Sequence, residues 1–188
     1  MLQQIELKPE DRLLDLGCGY GLVGLAAAKV LTPEHVCLID VDPLAVAVAS
    51  RNAATNGLAN VRIILGDGPD AASPDLFSLI LCNPPYHTDF SVAKRLIEKS
   101  VNRLMTGGKL VLVVKRVDWY RNKMTHVFGG VQVTMAEGYA VLMSERRSRP
   151  AHSAQVGGKI ETGKTTRKHQ KKMAETGRTG RKPKRTPS

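Results

Sequence analysis

The 188-residue sequence has few cysteines, no long apolar run and no apolar signal core, and each shortage excludes a class of protein. Its three cysteines are odd in number and form no Cys-x-x-Cys pair, which argues against a disulfide framework or a zinc knuckle. No apolar run approaches the roughly 20 residues that a membrane span needs, and residues 1–10 lack a signal-like segment. We therefore predict a cytoplasmic protein without a membrane partner.

Acidic residues are scarce in the C-terminal part of the chain, so the net charge of +11 is unevenly distributed. Residues 151–188 contain 11 Lys or Arg against two Glu, whereas residues 1–150 contain 17 Lys or Arg against 15 Asp or Glu. From about residue 147 onward large apolar side chains are almost absent, so this segment cannot bury enough surface to fold alone. We predict one domain over residues 1–146 and a basic, disordered tail over residues 147–188 that favours a polyanion such as nucleic acid.

Short apolar runs alternate with helical patterns along the body of the chain. Continuous apolar strands are typical of burial on both faces, and strands separated by helices indicate right-handed crossovers in a mainly parallel sheet. The predicted strands cover residues 12–16, 35–39, 61–65, 76–82, 109–115, 131–136 and 139–144, and the predicted helices cover residues 22–31, 43–55, 91–105 and 118–128. The fold class is therefore a Rossmann-like three-layer α/β sandwich whose mainly parallel, seven-stranded sheet ends in an antiparallel hairpin.

A glycine-rich turn, Gly19-x-Gly21-x-x-Gly24, lies between the first strand and the first helix, and Asp40 follows 21 residues after Gly19. Taken alone, this pattern fits a dinucleotide fingerprint, although the glycines could serve only close helix–strand packing. Two features favour S-adenosylmethionine over NAD. Asp15 before the turn suits a ligand with an ammonium and a sulfonium better than a pyrophosphate, and the sequence has no second mononucleotide-binding half.

The fourth strand ends in Asn83-Pro84-Pro85-Tyr86, which suits methyl transfer to a planar nitrogen. An exocyclic amine on a base is a poor nucleophile, because its lone pair is delocalised, and it must be held in line. The Asn83 side-chain oxygen and the Pro84 carbonyl can each accept one amine hydrogen, on a turn that the two prolines fix. Tyr86 offers a face on which the base stacks. We predict that these four residues are catalytic; a merely rigid turn is the alternative.

Five further residues near these motifs have two possible interpretations each. His87 either helps to position substrate or is an exposed loop residue. Lys115 and Arg116 end the fifth strand and either contact a substrate phosphate or form a solvated strand end. Trp119 and Tyr120, at the start of a helix, indicate packing rather than stacking platforms for a base.

The run from Asp15 to Gly21 resembles the first motif of class I methyltransferases. With residues 83–87, 107–110, 127–129 and 138–142, the chain resembles the methyltransferase small family, and within it the ribosomal small-subunit RNA guanine-N2 methyltransferase group. This resemblance implies that Asp15 contacts the methionine end of the cofactor through the turn, that Asp40 contacts the ribose, and that Asp67 contacts the adenine amino group. The predicted cofactor-binding residues are Asp15, Gly17, Cys18, Gly19, Gly21, Asp40, Val41, Asp67, Gly68 and Asn83.

The resemblance further implies methylation of guanine N2 in ribosomal RNA, with RNA bound by the active-site rim and the basic tail. Adenine N6, a protein glutamine amide and a non-catalytic RNA-binding remnant of the fold stay open as alternatives, as do a monomer and a homodimer. Family members carry a further segment before the first strand that helps to cover the site, whereas ten residues precede Asp11. We expect the chain to be truncated there, or the tail or a partner to do that work.

Overall fold

The computed structural model describes residues 2–85 and 90–148. These lie in the first of two compact units of the chain, Met1–Pro150. The predicted tail therefore lies almost wholly outside the described residues, and its role stays a prediction. The strands are β1 (Leu13–Leu16), β2 (Val36–Asp40), β3 (Arg62–Leu65), β4 (Phe77–Cys82), β5 (Leu104–Val114), β6 (Gln132–Ala136) and β7 (Tyr139–Glu145), and the α-helices are α1 (Leu22–Ala28), α2 (Pro43–Thr55), α3 (Phe90–Arg103) and α4 (Val117–Phe128).

The seven strands form one sheet in the order β3-β2-β1-β4-β5-β7-β6. Strands β1 to β5 are parallel, and β7 is antiparallel to both β5 and β6. The strand order reverses between β1 and β4, and ligands of open α/β sheets bind outside the carboxyl ends of the strands at such a switch point. The predicted fold class is confirmed, and the order places the glycine-rich turn beside the Asn83 turn.

Alternate residues of the central strands point to opposite faces of the sheet, and each face is covered by helices. Leu14 packs in the cluster that contains Ile97 of α3 and Met124 of α4, whereas Leu13 packs in the cluster that contains Leu25 of α1 and Ala49 of α2. The sheet is thus buried on both sides, as the continuous apolar strands predict. No helix among the described residues has the length and apolar character required to cross a membrane.

The ends of several elements follow from single residues. Helix α2 begins after Asp42, whose side chain accepts a hydrogen bond from Leu44 N at 2.8 Å, with proline at the first helical position. Helix α4 ends at Gly129, which has a left-handed backbone. Glu137 and Gly138 both have positive φ, as the tight hairpin between β6 and β7 requires.

The predicted boundary between the third helix and the fifth strand is wrong. The helix predicted for residues 91–105 ends at Arg103, and β5 begins at the fully buried Leu104. Gly107 and Gly108, which the sequence indicates as a helix stop, lie inside the strand, where the pairing with β4 shifts register. A Cβ on Gly108 would stand 2.9 Å from backbone oxygens on two sides. The glycine pair therefore accommodates an irregular strand pairing instead of ending a helix.

Candidate functional site

The glycine-rich turn leaves β1 with an open, left-handed backbone. Gly17, Gly19 and Gly21 have φ values of 73°, 55° and 91°, which residues with a Cβ rarely adopt. The N–H groups of Gly17 and Cys18 both donate to the carbonyl of Ile39, at 2.8 and 3.0 Å, so the turn is fixed to β2. Among the described residues, apart from its chain neighbours, a Cβ on Gly17 or Gly19 would meet no atom within 4 Å, which leaves this face of the turn open to a ligand.

Asp15 lies behind this turn. Its side chain is 4% exposed and accepts a hydrogen bond from Gly24 N, at 2.7 Å, which fixes the first turn of α1 to β1. Burial raises the pKa of Asp15 to about 6, the bond from Gly24 opposes the rise, and the negative charge of Asp40 adds to it. A Cβ on Gly24 would stand 2.6 Å from a methyl carbon of the buried Leu38, so any side chain at this position would require Leu38 to shift.

Asp40 links the end of β2 to the glycine turn. One carboxylate oxygen accepts from Gly19 N at 2.7 Å, and the other accepts from Asp42 N at 3.0 Å. A carboxylate has about four lone-pair positions, so two backbone bonds orient the group and leave capacity for ribose hydroxyls. The adjoining Val41 side chain is 67% exposed, which places an apolar surface beside this carboxylate.

The segment after β3 is tied to helix α3 by ion pairs. Asp67 lies 2.6 Å from a guanidinium nitrogen of Arg95, and Asp70 lies 2.7 Å from the ammonium of Lys99 and 3.8 Å from Arg103. Sequence reasoning missed Arg95, since 28 residues separate the partners of the first pair. The available sequence signal was a charged residue on each turn of α3, but this pattern does not identify which of these residues pairs with Asp67.

A cavity of about 320 Å³ opens at the carboxyl edge of the sheet. It brings together most of the predicted cofactor-binding residues and Asn83, whereas Asp15, Cys18, Gly21 and Pro84 are not part of its wall. Sequence reasoning missed Val92 and Leu96, whose i, i+4 spacing on α3 was the available signal. The wall consists of Leu16, Gly17, Gly19, Ile39, Asp40, Val41, Gly66, Asp67, Gly68, Asn83, Pro85, Val92 and Leu96.

The predicted catalytic turn follows β4 at the same cavity. Asn83 and Pro85 are exposed and line the cavity wall, while Pro84 between them is buried. Tyr86 and His87 lie outside the described residues, so their predicted roles stay predictions. The arrangement places the Asn83 amide beside the glycine turn and Asp40, within one pocket.

The two cysteines nearest the site are suited to packing rather than nucleophilic chemistry. Burial raises the pKa of Cys18 to about 12, and it raises the pKa of the fully buried Cys82 even further. The neighbouring carboxylates of Asp15 and Asp40 raise both thiol pKa values as well. Because the thiolate is the nucleophilic form, neither sulfur is reactive at neutral pH.

Fold and cavity together define a Rossmann-like domain with a nucleotide-type pocket and an amide-bearing turn at its switch point. Comparisons with known proteins give the family within this class. Residues 1–143 match the model of the methyltransferase small domain, and the chain belongs to that family. The resemblance stated from the sequence is thereby confirmed.

Individual relatives agree with this family. The chain is 35% identical over 151 residues to a ribosomal RNA small subunit methyltransferase C of Pseudomonas putida, an alignment that covers 78% of this chain and 45% of that protein. It is 36% identical over 142 residues to a ribosomal RNA large subunit methyltransferase G of Pseudomonas syringae, over 72% of this chain and 38% of that protein. The chain thus spans less than half the length of these curated relatives.

A solved structure is similar as well. It is the 16S rRNA N2 G1207 methyltransferase (RsmC) of T. thermophilus, in complex with AdoMet and guanosine. The TM-score is 0.65 and the sequence identity 26%, over 73% of this chain and 38% of that chain.

Proposed function

We propose that this chain transfers the methyl group of S-adenosylmethionine to the exocyclic N2 amine of a guanine in ribosomal RNA. One observation carries the proposal: Asn83 and Pro85 line the same cavity as Gly17, Gly19 and Asp40. A pocket suited to the cofactor and a turn suited to a planar amine are therefore adjacent. The names of the similar small-subunit and large-subunit ribosomal RNA methyltransferases support RNA as the substrate.

The residues of the cavity fit S-adenosylmethionine. The volume of about 320 Å³ is within the range of small-molecule pockets. Val41, Val92 and Leu96 supply apolar surface for a flat adenine base, and the oriented Asp40 carboxylate suits a ribose diol. The open backbone at Gly19 lets a ligand approach the main chain closely. Asp67 is the proposed acceptor for the adenine amino group.

Asn83 and Pro84 perform the proposed positioning of the amine. When bound, S-adenosylmethionine supplies an electrophilic methyl group on a positively charged sulfur. The Asn83 side-chain oxygen and the Pro84 carbonyl accept the two amine hydrogens, so that the nitrogen lone pair faces that methyl. The nitrogen–carbon bond forms as the carbon–sulfur bond breaks, and the electron pair of the broken bond stays on sulfur. The methylated amine then releases its proton to water, and Tyr86 is the proposed stacking surface for the base.

The basic tail is the proposed source of nonspecific phosphate affinity. Counterion release makes such a segment effective but dependent on salt. Deletion of residues 151–188, which carry 11 Lys or Arg, is expected to weaken RNA binding and to flatten its salt dependence. An unchanged salt slope contradicts this role of the tail.

Transfer of a labelled methyl group tests the proposal. The full chain is incubated with labelled S-adenosylmethionine and, separately, with ribosomal RNA, DNA and protein from cells that lack it. Label in the ribosomal RNA, recovered as N2-methylguanosine, is expected. Label as N6-methyladenosine, or in the protein fraction alone, contradicts the guanine assignment. Absence of S-adenosylmethionine binding by calorimetry instead favours an RNA-binding protein without activity.

A further inference from the structure

Two exposed cations, Lys115 and Arg116, follow β5 at the same edge of the sheet as the Asn83 turn. Strand β5 is adjacent to β4, and Leu112 is the register partner of Cys82, the residue before Asn83. With about 3.3 Å per residue along a strand and about 4.8 Å between strands, Lys115 lies on the order of 10 Å from Asn83. The two cations thus lie beside the proposed amine-binding turn, on its β5 side.

Aromatic rings support both cations. The Arg116 guanidinium lies over the ring of Phe90, 5.7 Å from its centre, and Phe90 in turn stacks on Trp119 with 4.4 Å between ring centres. Trp119 also meets the buried Tyr120 edge to face, so this platform is continuous with the core. The predicted packing role of Trp119 and Tyr120 agrees with these contacts.

The second cation has an analogous support on the neighbouring strand. The ammonium of Lys115 lies 5.0 Å from the centre of the Tyr139 ring, at the start of β7. A cation–π contact holds a cationic side chain in place while that side chain stays charged. An arginine that rests on a ring also keeps N–H donors at its edge, which match the oxygens of a phosphate.

We propose that Lys115 and Arg116 together bind the RNA backbone phosphates that flank the methylated nucleotide. The inference rests on the proposed function and names the part of the substrate that this edge recognises. Backbone contacts of this kind fix the register of a nucleic acid and carry no sequence information. They suit a site in which an unstacked base must reach the Asn83 turn while its phosphates stay in solvent.

The acidic residues near the ends of the neighbouring strands are either less exposed than the two cations that follow β5 or paired with a basic side chain. Near the ends of β2 and β1, Asp40 lines the cavity and Asp15 is buried, whereas Asp67 after β3 is paired with Arg95. The exposed cations at the end of β5 therefore offer an approaching RNA strand a positive surface at this edge of the sheet.

A salt titration of RNA binding tests the proposal. The full chain with Lys115→Gln and Arg116→Gln is compared with a control that carries Lys8→Gln and Lys109→Gln. The control loses the same charge at the opposite, amino edge, where both lysines line one surface depression. The probe is deproteinised small-subunit ribosomal RNA, bound between 50 and 200 mM salt.

The expected result is a shallower salt slope for the first variant alone. Each lost contact to a single-stranded phosphate lowers the slope by about 0.7, and two contacts lower it by about 1.4. The KM for RNA is expected to rise more than kcat falls, while S-adenosylmethionine affinity is unchanged. Lys115→Arg with Arg116→Lys keeps both charges and should restore most of the slope.

Two outcomes overturn the proposal. If the control flattens the slope equally, or neither variant changes it, the end of β5 does not bind phosphate. If either of these results is obtained and the wild-type chain nevertheless methylates ribosomal RNA, the proposed function stands and only this inference fails. A wild-type chain that binds S-adenosylmethionine but labels no RNA contradicts the proposed function itself.

Discussion

The carboxyl edge of the sheet has two halves of different construction. At the ends of β1, β2 and β3, the acidic half, two carboxylates are held by backbone N–H groups: Asp15 by Gly24 and Asp40 by Gly19. At the ends of β4 and β5, the basic half, an amide stands next to two exposed cations that rest on aromatic rings. The acidic half suits a ligand with a positive sulfonium, and the basic half suits a polyanion.

The difference also separates two kinds of preorganisation. In the acidic half, main-chain hydrogen bonds of 2.7 Å fix the carboxylates, so their positions depend on the glycine turn. In the basic half, the Asn83 amide precedes two prolines, and aromatic rings contact the two cations. Because Asn83 and Pro85 also line the proposed cofactor cavity, substitutions in the basic half should affect RNA more than the cofactor, and substitutions in the acidic half should do the reverse.

The largest effect is expected for Asn83→Ala. Loss of one preorganised acceptor should lower kcat for methyl transfer by about 10²–10³-fold, by analogy with loss of one group from a preorganised electrostatic site. Cofactor affinity should fall much less than kcat, because the side chain is only one residue of the cavity wall and acts mainly on the amine. Rates under saturating S-adenosylmethionine, with calorimetry on the same sample, measure both quantities. A loss of cofactor affinity as large as the loss of kcat contradicts a role of the side chain on the amine.

A smaller loss, in cofactor affinity, is expected for Asp40→Ala. A hydrogen bond to a charged group is worth about 1.5–3 kcal/mol, so affinity should fall by about 10–100-fold. Asp42→Ala is the matched control, since it removes a neighbouring carboxylate that caps α2. The control should lose about 1 kcal/mol of stability and little affinity. Equal affinity losses in calorimetric titrations contradict the role of Asp40.

The pH dependence of stability tests the buried carboxylate of the acidic half. Because burial raises the pKa of Asp15 from 3.8 to about 6, the unfolded chain releases this proton first as pH rises. The folded state should therefore lose stability between those two values and carry the full penalty at pH 7. Asp15→Asn removes the titration and can still accept the Gly24 bond.

The free energy of unfolding of Asp15→Asn, relative to that of wild type, should increase by on the order of 2–3 kcal/mol from pH 4 to pH 7. Urea unfolding of both proteins at each pH measures this double difference, in which the other groups cancel. A difference that is the same at pH 4 and pH 7 rules out a raised pKa for Asp15.

The smallest effect is expected for Arg95→Gln. Loss of the 2.6 Å ion pair frees Asp67 at the cavity wall and should weaken cofactor binding several-fold. Exposed ion pairs contribute at most about 1 kcal/mol, so a larger change is not expected. Lys99→Gln, which breaks the pair with Asp70 on the next turn of α3, is the control. If fluorescence or calorimetric titrations give the same cofactor affinity for both variants, Arg95 has no role in cofactor binding.

Local signals made most of the fold predictable from the sequence. Asp42 before proline, the Glu137-Gly138 turn and the apolar strands each act within a few residues, and the structure has the corresponding elements. The predicted end of the third helix was wrong because a glycine pair is compatible with an irregular strand as well as with a helix end. The position at which the helix ends and β5 begins depends on the pairing of β5 with β4, which is distant in the sequence.

The site was predictable in composition but not in contacts. Strand ends fixed the places of Asp40, Asp67 and Asn83 on one edge, because parallel strands share it. The bond from Gly24 to Asp15 and the pair between Arg95 and Asp67 depend on side-chain directions across separate elements. No spacing rule reports those directions, so the partners became visible only in three dimensions.

The most direct test of the account is a nucleoside analysis of ribosomal RNA from cells that lack the chain. Mass spectrometry is expected to show the loss of one N2-methylguanosine, restored by the wild-type chain and not by Asn83→Ala. Ribosomal RNA with unchanged methylation, or full restoration by Asn83→Ala, contradicts the central claim that the Asn83 turn methylates guanine in ribosomal RNA.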